Sequence, residues 1–203
     1  MKKILSILVA ALLLFSVACA AGVSSKTTHP VVTGEGGFIF VTDDTIMALD
    51  EMETLIDEVA NQNKAPIEHF DAETQAAIAA KTGLDAAALK TWELNEFCSL
   101  GVTEAYTAEN GDQVVTFAVA TPYAVGQKIS VVVGTFDGTR SEVEPGKYAF
   151  NVKRTVLDGE VTAAQTDVAD TSSLIQVTFP TETVLEMQSS VATTMAVLSE
   201  PAA

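Results

Sequence analysis

The sequence predicts an α+β chain that is mainly β, an antiparallel β-sandwich preceded by a short helical segment. Three observations lead there. Residues 45–90 carry apolar side chains at helical spacing, whereas from Phe97 onward short β-branched runs alternate with Gly, Asn, Asp and Pro punctuation. Roughly six such runs, each bounded by turn chemistry, are the pattern of a sandwich. The third observation is Gln113–Phe136, two β-branched runs flanking a break with Pro122 and Gly126, which reads as a β-hairpin. The predicted boundaries are a signal peptide over 1–20, a flexible tether over 21–37, a helical segment over 38–92 that packs on the sheet, and a β-sandwich domain over 93–203.

The N-terminus comes first. Met1-Lys2-Lys3 is a charged start, Ile4 to Phe15 an apolar run, and small residues follow through Ala21. That is the layout of an export signal. The run is shorter than the about 20 apolar residues a membrane span needs. Ser16-Val17-Ala18-Cys19 resembles a lipobox, in which Cys19 becomes the lipidated first residue. The alternative takes Ala18 and Ala20 as an Ala-x-Ala site, with cleavage after Ala20. Residues 20–37 contain Gly, Ser, Thr and Pro without apolar periodicity, as a tether does.

After the tether, Phe38–Val41 reads as a short apolar run that either pairs as an edge strand or docks onto the sheet, and Thr42, Asp43 and Asp44 offer N-cap chemistry. Over 45–61, Ile46, Leu49, Met52, Leu55, Ile56 and Val59 form an apolar stripe, with Asp50, Glu51, Glu53, Asp57 and Glu58 on a solvated face. A second, Ala-rich helix starts at Phe70–Glu73 and closes at Gly83, and Asp85 caps a short turn over 86–90. Trp92 is expected to anchor the helical segment on the sheet, or else to present a stacking surface for a sugar. The predicted strands are 99–107, the two runs of Gln113–Phe136, Lys147–Lys153, Leu174–Phe179 and Thr194–Leu198. Asn110-Gly111, Asp137-Gly138, Gly146-Lys147 and Asp158-Gly159 read as turns, and 160–172 as loop. Tyr148, Phe150 and Val152 are expected to face inward. Pro180–Gln188 reads as a short helical turn. The run Ile129–Phe136, apolar on both faces, belongs in the middle of the sheet.

Charge and motif exclude more than they assign. Without Lys2 and Lys3 the chain keeps 27 acidic against nine basic residues, a net charge of −18. Sixteen of the acids and three of the bases lie between Glu35 and Glu109. Such a surface repels nucleic acid. No cofactor and no metal is expected: His29, His69 and Cys98 have no zinc spacing, and the Asp43/Asp44 and Asp167/Asp170 pairs read as solvated or capping acids, with weak Ca²⁺ binding as the alternative. No nucleophile elbow or phosphate loop is present in the sequence. Cys98 reads as a small buried residue, not a reactive thiol.

Leu94-Asn95-Glu96-Phe97, Val115-Thr116-Phe117, Ala120-Thr121-Pro122-Tyr123, Val177-Thr178-Phe179 and Ala196-Val197-Leu198-Ser199-Glu200-Pro201 make residues 66–201 similar to small exported modules of Gram-positive gut-type bacteria. The resemblance implies an Ig-like antiparallel β-sandwich behind a short helical segment, on a secreted, lipid-anchored or wall-attached protein. It carries no active site across. The expected function is that of an exported, lipid-anchored, non-catalytic surface protein, held at the membrane through Cys19. The alternative is a module that binds an envelope or extracellular ligand (peptide, polysaccharide or protein) through its loops or an exposed edge, with Trp92, Tyr123 and Arg140 as contact residues. A third possibility is a hydrolase with two carboxylates across a pocket.

Overall fold

The computed structural model describes residues 31–33, 37–41, 46–119, 121–168 and 171–201. Its strands are β1 (Val31–Thr33), β2 (Phe38–Val41), β3 (Glu93–Val102), β4 (Gln113–Val119), β5 (Ile129–Glu144), β6 (Lys147–Val168), β7 (Thr171–Phe179) and β8 (Ala192–Ser199). They form one eight-stranded sheet in the order β1-β4-β7-β6-β5-β8-β3-β2. Every neighbouring pair is antiparallel. The fold is thus α+β and mainly β, but the expected two facing sheets are a single sheet curled into a half-barrel.

The helices are α1 (Ile46–Ile56, prolonged by a π turn over Asp57–Asn61), α2 (Ala72–Thr82), α3 (Ala86–Leu89) and α4 (Thr181–Ser189). A 3-10 turn, Pro66–His69, joins α1 to α2. The Asp85 cap and the Gly83 closure are as expected, and Asp71 adds a cap that the sequence reading did not name. Asp71 accepts from Thr74 N at 2.8 Å, Asp85 accepts from Ala88 N at 2.8 Å, and Gly83 closes α2 in the left-handed conformation with φ 69°.

The sheet is buried on both faces along its middle. Val131 and Val133 of β5 and Met195 and Val197 of β8 enter an inner core with Leu100, Phe117, Val177 and Phe179. Val184 and Met187 of α4 belong to that core, so α4 fills the concave side. The alternate residues Val132, Ala196 and Leu198 enter an outer core with Leu55, Ile67, Phe70, Ile78, Leu89 and Trp92. The helical segment therefore lies on the outer face of β3, β8, β5 and β6. This is why Ile129–Phe136 carries apolar residues on both faces. Val115, Phe117 and Val119 share the inner face, as do Ile175, Val177 and Phe179, with Gln176 and Thr178 exposed.

Several local expectations are corrected. The run Gln113–Phe136 is not a hairpin: β4 pairs with β1 and β7, β5 with β6 and β8. Its break buries Tyr123, whose N–H donates to Ser173 Oγ at 2.7 Å, so the connection crosses the sheet instead of reversing. Asn110-Gly111 does not join paired strands. Asn110 Oδ1 accepts from Thr107 N at 2.8 Å and closes a 3-10 turn over Ala108–Asn110. Asp158-Gly159 lies inside β6, which continues through most of the expected loop to Val168. Gly159 is there for space, since a Cβ would sit 2.9 Å from Ile129 Cδ1. Asp137-Gly138 is a bulge in β5, with Gly138 at φ 84°. The chain reverses at Pro145-Gly146, where Gly146 has φ 78°. Within the expected tether, Val31–Thr33 pairs with β4 as a sheet edge.

The β5–β6 hairpin outruns the sheet. Pairing of β8 with β5 ends at Phe136↔Ala192, and β7 meets β6 only from Gly159 onward. Residues 137–151 form a two-stranded arm on which Tyr148, expected inward, is 61% exposed, with Val143 at 63%. Among the described residues no third strand pairs with it.

Candidate functional site

Three polar constellations occur among the described residues. The most enclosed lies between α1 and the sheet. Glu51 stands one helical turn before Leu55, on the stripe that meets the sheet, and it is buried instead of solvated. Glycine at 134 makes the space: a Cβ there would stand 2.7 Å from Thr194 Oγ1 and 3.8 Å from Glu51 Oε2. Thr194 Oγ1 donates to Glu51 Oε2 at 2.8 Å and Arg154 Nη2 donates to Oε1 at 2.9 Å. Arg154 Nη1 lies 3.5 Å from Asp71 Oδ2, and its guanidinium lies 5.8 Å from the Phe70 ring centre. His69 Nδ1 reaches Glu58 Oε2 at 2.7 Å, so this nitrogen carries the proton, and Lys64 binds the other Glu58 oxygen at 2.7 Å.

Electrostatics keeps the cluster ionised. Burial pushes the Glu51 carboxyl up, but His69, the Arg154 charge and the Thr194 hydroxyl outweigh it and hold it below the ordinary value. Glu58 and Asp71 are likewise held low against their own burial, Glu58 by Lys64 and His69, Asp71 by the Thr74 amide and hydroxyl and by Arg154. A general base has to reach its substrate's proton. The His69 side chain is 5% exposed, and its Nε2, without a hydrogen bond, lies 3.7 Å from Glu51 Oε1. The cluster turns its charges on one another, and its chemistry is adhesion of α1 and the 3-10 turn to β6 and β8.

The second constellation lies where β3 meets the β4–β5 connection. A register shift after Leu94 accompanies the placing of Glu96 beside Thr121, whose Oγ1 donates to Glu96 Oε1 at 2.8 Å. Burial raises the Glu96 carboxyl, and the Thr121 hydroxyl only partly offsets it. Burial and then the Glu96 charge push the Tyr123 phenol and the Cys98 thiol up. Cys98 is free, and its thiol stays protonated at neutral pH, as a packing residue requires.

Glu96 yields a pH prediction. Its folded carboxyl binds the proton more tightly than the unfolded one, so its contribution is full at acid pH and lost as pH rises through the raised value. Glu96→Gln keeps an acceptor for Thr121 without a charge. It is expected to raise the thermal midpoint at pH 7 by about 2–4 °C, the scale of about 1 kcal/mol here, and to change it little at pH 4. Equal shifts at both pH values in calorimetry would remove charge as the cause.

The third is a cleft of about 270 Å³ between the end of α2, the β4–β5 connection and β6. Lys81 pairs with Asp158 at 2.8 Å across it, and Lys128 Nζ donates to Thr82 O at 3.3 Å.

The residues expected to bind a ligand are not brought together. Trp92 is 3% exposed in the outer core and Tyr123 3% exposed in the inner core, on opposite faces of the sheet, so neither offers a stacking surface. Arg140 alone is exposed, on the arm, with its guanidinium carbon 3.8 Å from the Phe150 ring centre. Cys19, the Asp43/Asp44 pair and Asp170 lie outside the described residues. No group of three or more His, Cys, Asp or Glu side chains converges as a metal site among the described residues, and no helix there is long and apolar enough to cross a membrane. Glu51, His69 and Arg154 escaped the sequence reading, because their partners are far apart in the chain. Comparison with protein-family models, with curated proteins and with solved structures gives no significant match.

Proposed function

We propose that this is an exported, lipid-anchored, non-catalytic protein that works as a structural or accessory module outside the membrane. One observation carries this: the order Lys2-Lys3, Ile4–Phe15 and Ser16-Val17-Ala18-Cys19 lies ahead of a fold whose first described strand starts at Val31. Residues 20–30 then separate a lipidated cysteine from β1, and the two acyl chains of its diacylglycerol supply the two signals that stable anchoring takes. The fold's own chemistry supports the non-catalytic part. Its buried charges are spent on internal pairing, and its acidic surface, at net −16 for the whole chain, favours solubility.

Intact mass of the protein from its native cells, beside a Cys19→Ala variant, tests the anchor. The expected chain starts at Cys19 and carries diacylglycerol, and the variant lacks it. A chain starting at Ala21 without lipid would sink the anchor and indicate a released protein.

A second role, binding a protein partner, is favoured by the arm. It projects past the sheet with Arg140, Val143 and Tyr148 in solvent.

A further inference from the structure

We infer that the arm is a self-pairing edge, through which two copies of this chain join their β5 strands antiparallel across a two-fold axis. The inference deepens the partner-binding role, on which it rests, and is independent of export and lipid.

Three features converge. From Arg140 outward β5 pairs with β6 on one side and, among the described residues, with no strand on the other. A lone two-stranded ribbon is marginal in water, and an open edge offers unpaired N–H and C=O groups to another strand. Charge is the second feature. Residues 137–151 hold three acids (Asp137, Glu142, Glu144) and two bases (Arg140, Lys147), so the arm carries only −1 on a chain of net −16. Two copies that repel each other elsewhere can approach there.

Register is the third. Thr139-Arg140-Ser141-Glu142-Val143, laid antiparallel on itself about Ser141, sets Arg140 opposite Glu142 of the second copy, and by symmetry does so twice. Centring on Arg140 or Glu142 would set like charges face to face, which disfavours those registers. Arg140 is free to serve: it stacks on Phe150 and forms no ion pair with another described residue.

The test is sedimentation velocity of the full chain in mild detergent, which accommodates its N-terminal apolar run. A monomer–dimer equilibrium is expected, weakened about tenfold or more by Arg140→Glu. The exchange Arg140→Glu with Glu142→Arg is expected to restore it, because each charge again faces its opposite. Ser141→Cys is expected to cross-link to itself under mild oxidation, since facing residues bring Cβ atoms within about 5 Å. Thr139→Cys should not, because its two copies stand about 13 Å apart along the strand. Dimers indifferent to Arg140→Glu, or no rescue by the exchange, would overturn the register. A chain monomeric at all concentrations would overturn self-pairing. It would leave the partner-binding role standing if the arm captures a different protein and loses it on Arg140→Glu.

Discussion

Glu51→Ala is expected to lower folding stability by about 3–5 kcal/mol, the loss that follows when one partner of a buried ion pair is removed. The variant leaves Arg154, whose side chain is 13% exposed, without its closest carboxylate, and Thr194 Oγ1 without its acceptor. It also opens a cavity over Gly134. In a domain of this size the thermal midpoint should fall by about 10 °C or more. Removing both charges, as Glu51→Met with Arg154→Met, should recover much of the loss, because neither ion is then stranded. The double-mutant cycle by urea unfolding checks this, and additive losses would show that the pair is not coupled.

Acid gives the same cluster a second readout. Glu51, Glu58 and Asp71 are held below ordinary values of 4.5, 4.5 and 3.8, so the stability they add is present above those values and lost as pH falls through the folded ones. The acid limb of a stability-versus-pH curve should be shallower in Glu51→Ala. Glu96 acts with the opposite sign and is already protonated by then.

Trp92→Ala is expected to cost about 3–5 kcal/mol, the scale for emptying a buried aromatic site. Trp92 follows α3 directly and stands at the entry to β3, among Ile78, Leu89 and Leu94. Its loss loosens the helical segment from the sheet. As the only tryptophan, it also reports on its own surroundings. Native emission should be that of an indole in an apolar site, resistant to iodide quenching, and should move to the red on unfolding. Emission of a water-exposed indole, with stability unchanged in Trp92→Ala, would return the residue to the surface and to ligand binding.

The elements were more legible than their arrangement. Periodicity located α1, an Ala-rich run closed by Gly83 located α2, the cap at Asp85 set the start of α3, and two-sided apolarity put β5 mid-sheet. Those signals are local. Strand order is not, and the same dipeptides serve different ends: Asn110-Gly111 closes a 3-10 turn, Gly138 sits in a bulge, and Gly159 lets Ile129 pack. A one-sheet curl and a sandwich write the same alternation into each strand, because both have one core-facing side. The acid at 51 looked solvated because helical spacing cannot show that Gly134, Thr194 and Arg154 wait for it on the sheet. Arg140 was legible as a surface residue because a bulge and a turn surround it.

The two edges of the sheet are successive strands of the chain, β1 and β2, and both wait on later segments. Val31 pairs with Ala118, Phe38 with Val102, and β3 itself sets Glu93 against Ser199 near the far end. Pairings so distant in sequence form late and slowly. For a polypeptide threaded through a translocation channel from its N-terminus, as the proposed export requires, the first strands to emerge have no partner until β3 and β4, about the middle of the chain, have crossed, and β3 itself waits for β8. If the chain is exported as proposed above, folding is thereby deferred to the destination, and a slow topology serves as the chain's own guard against premature closure.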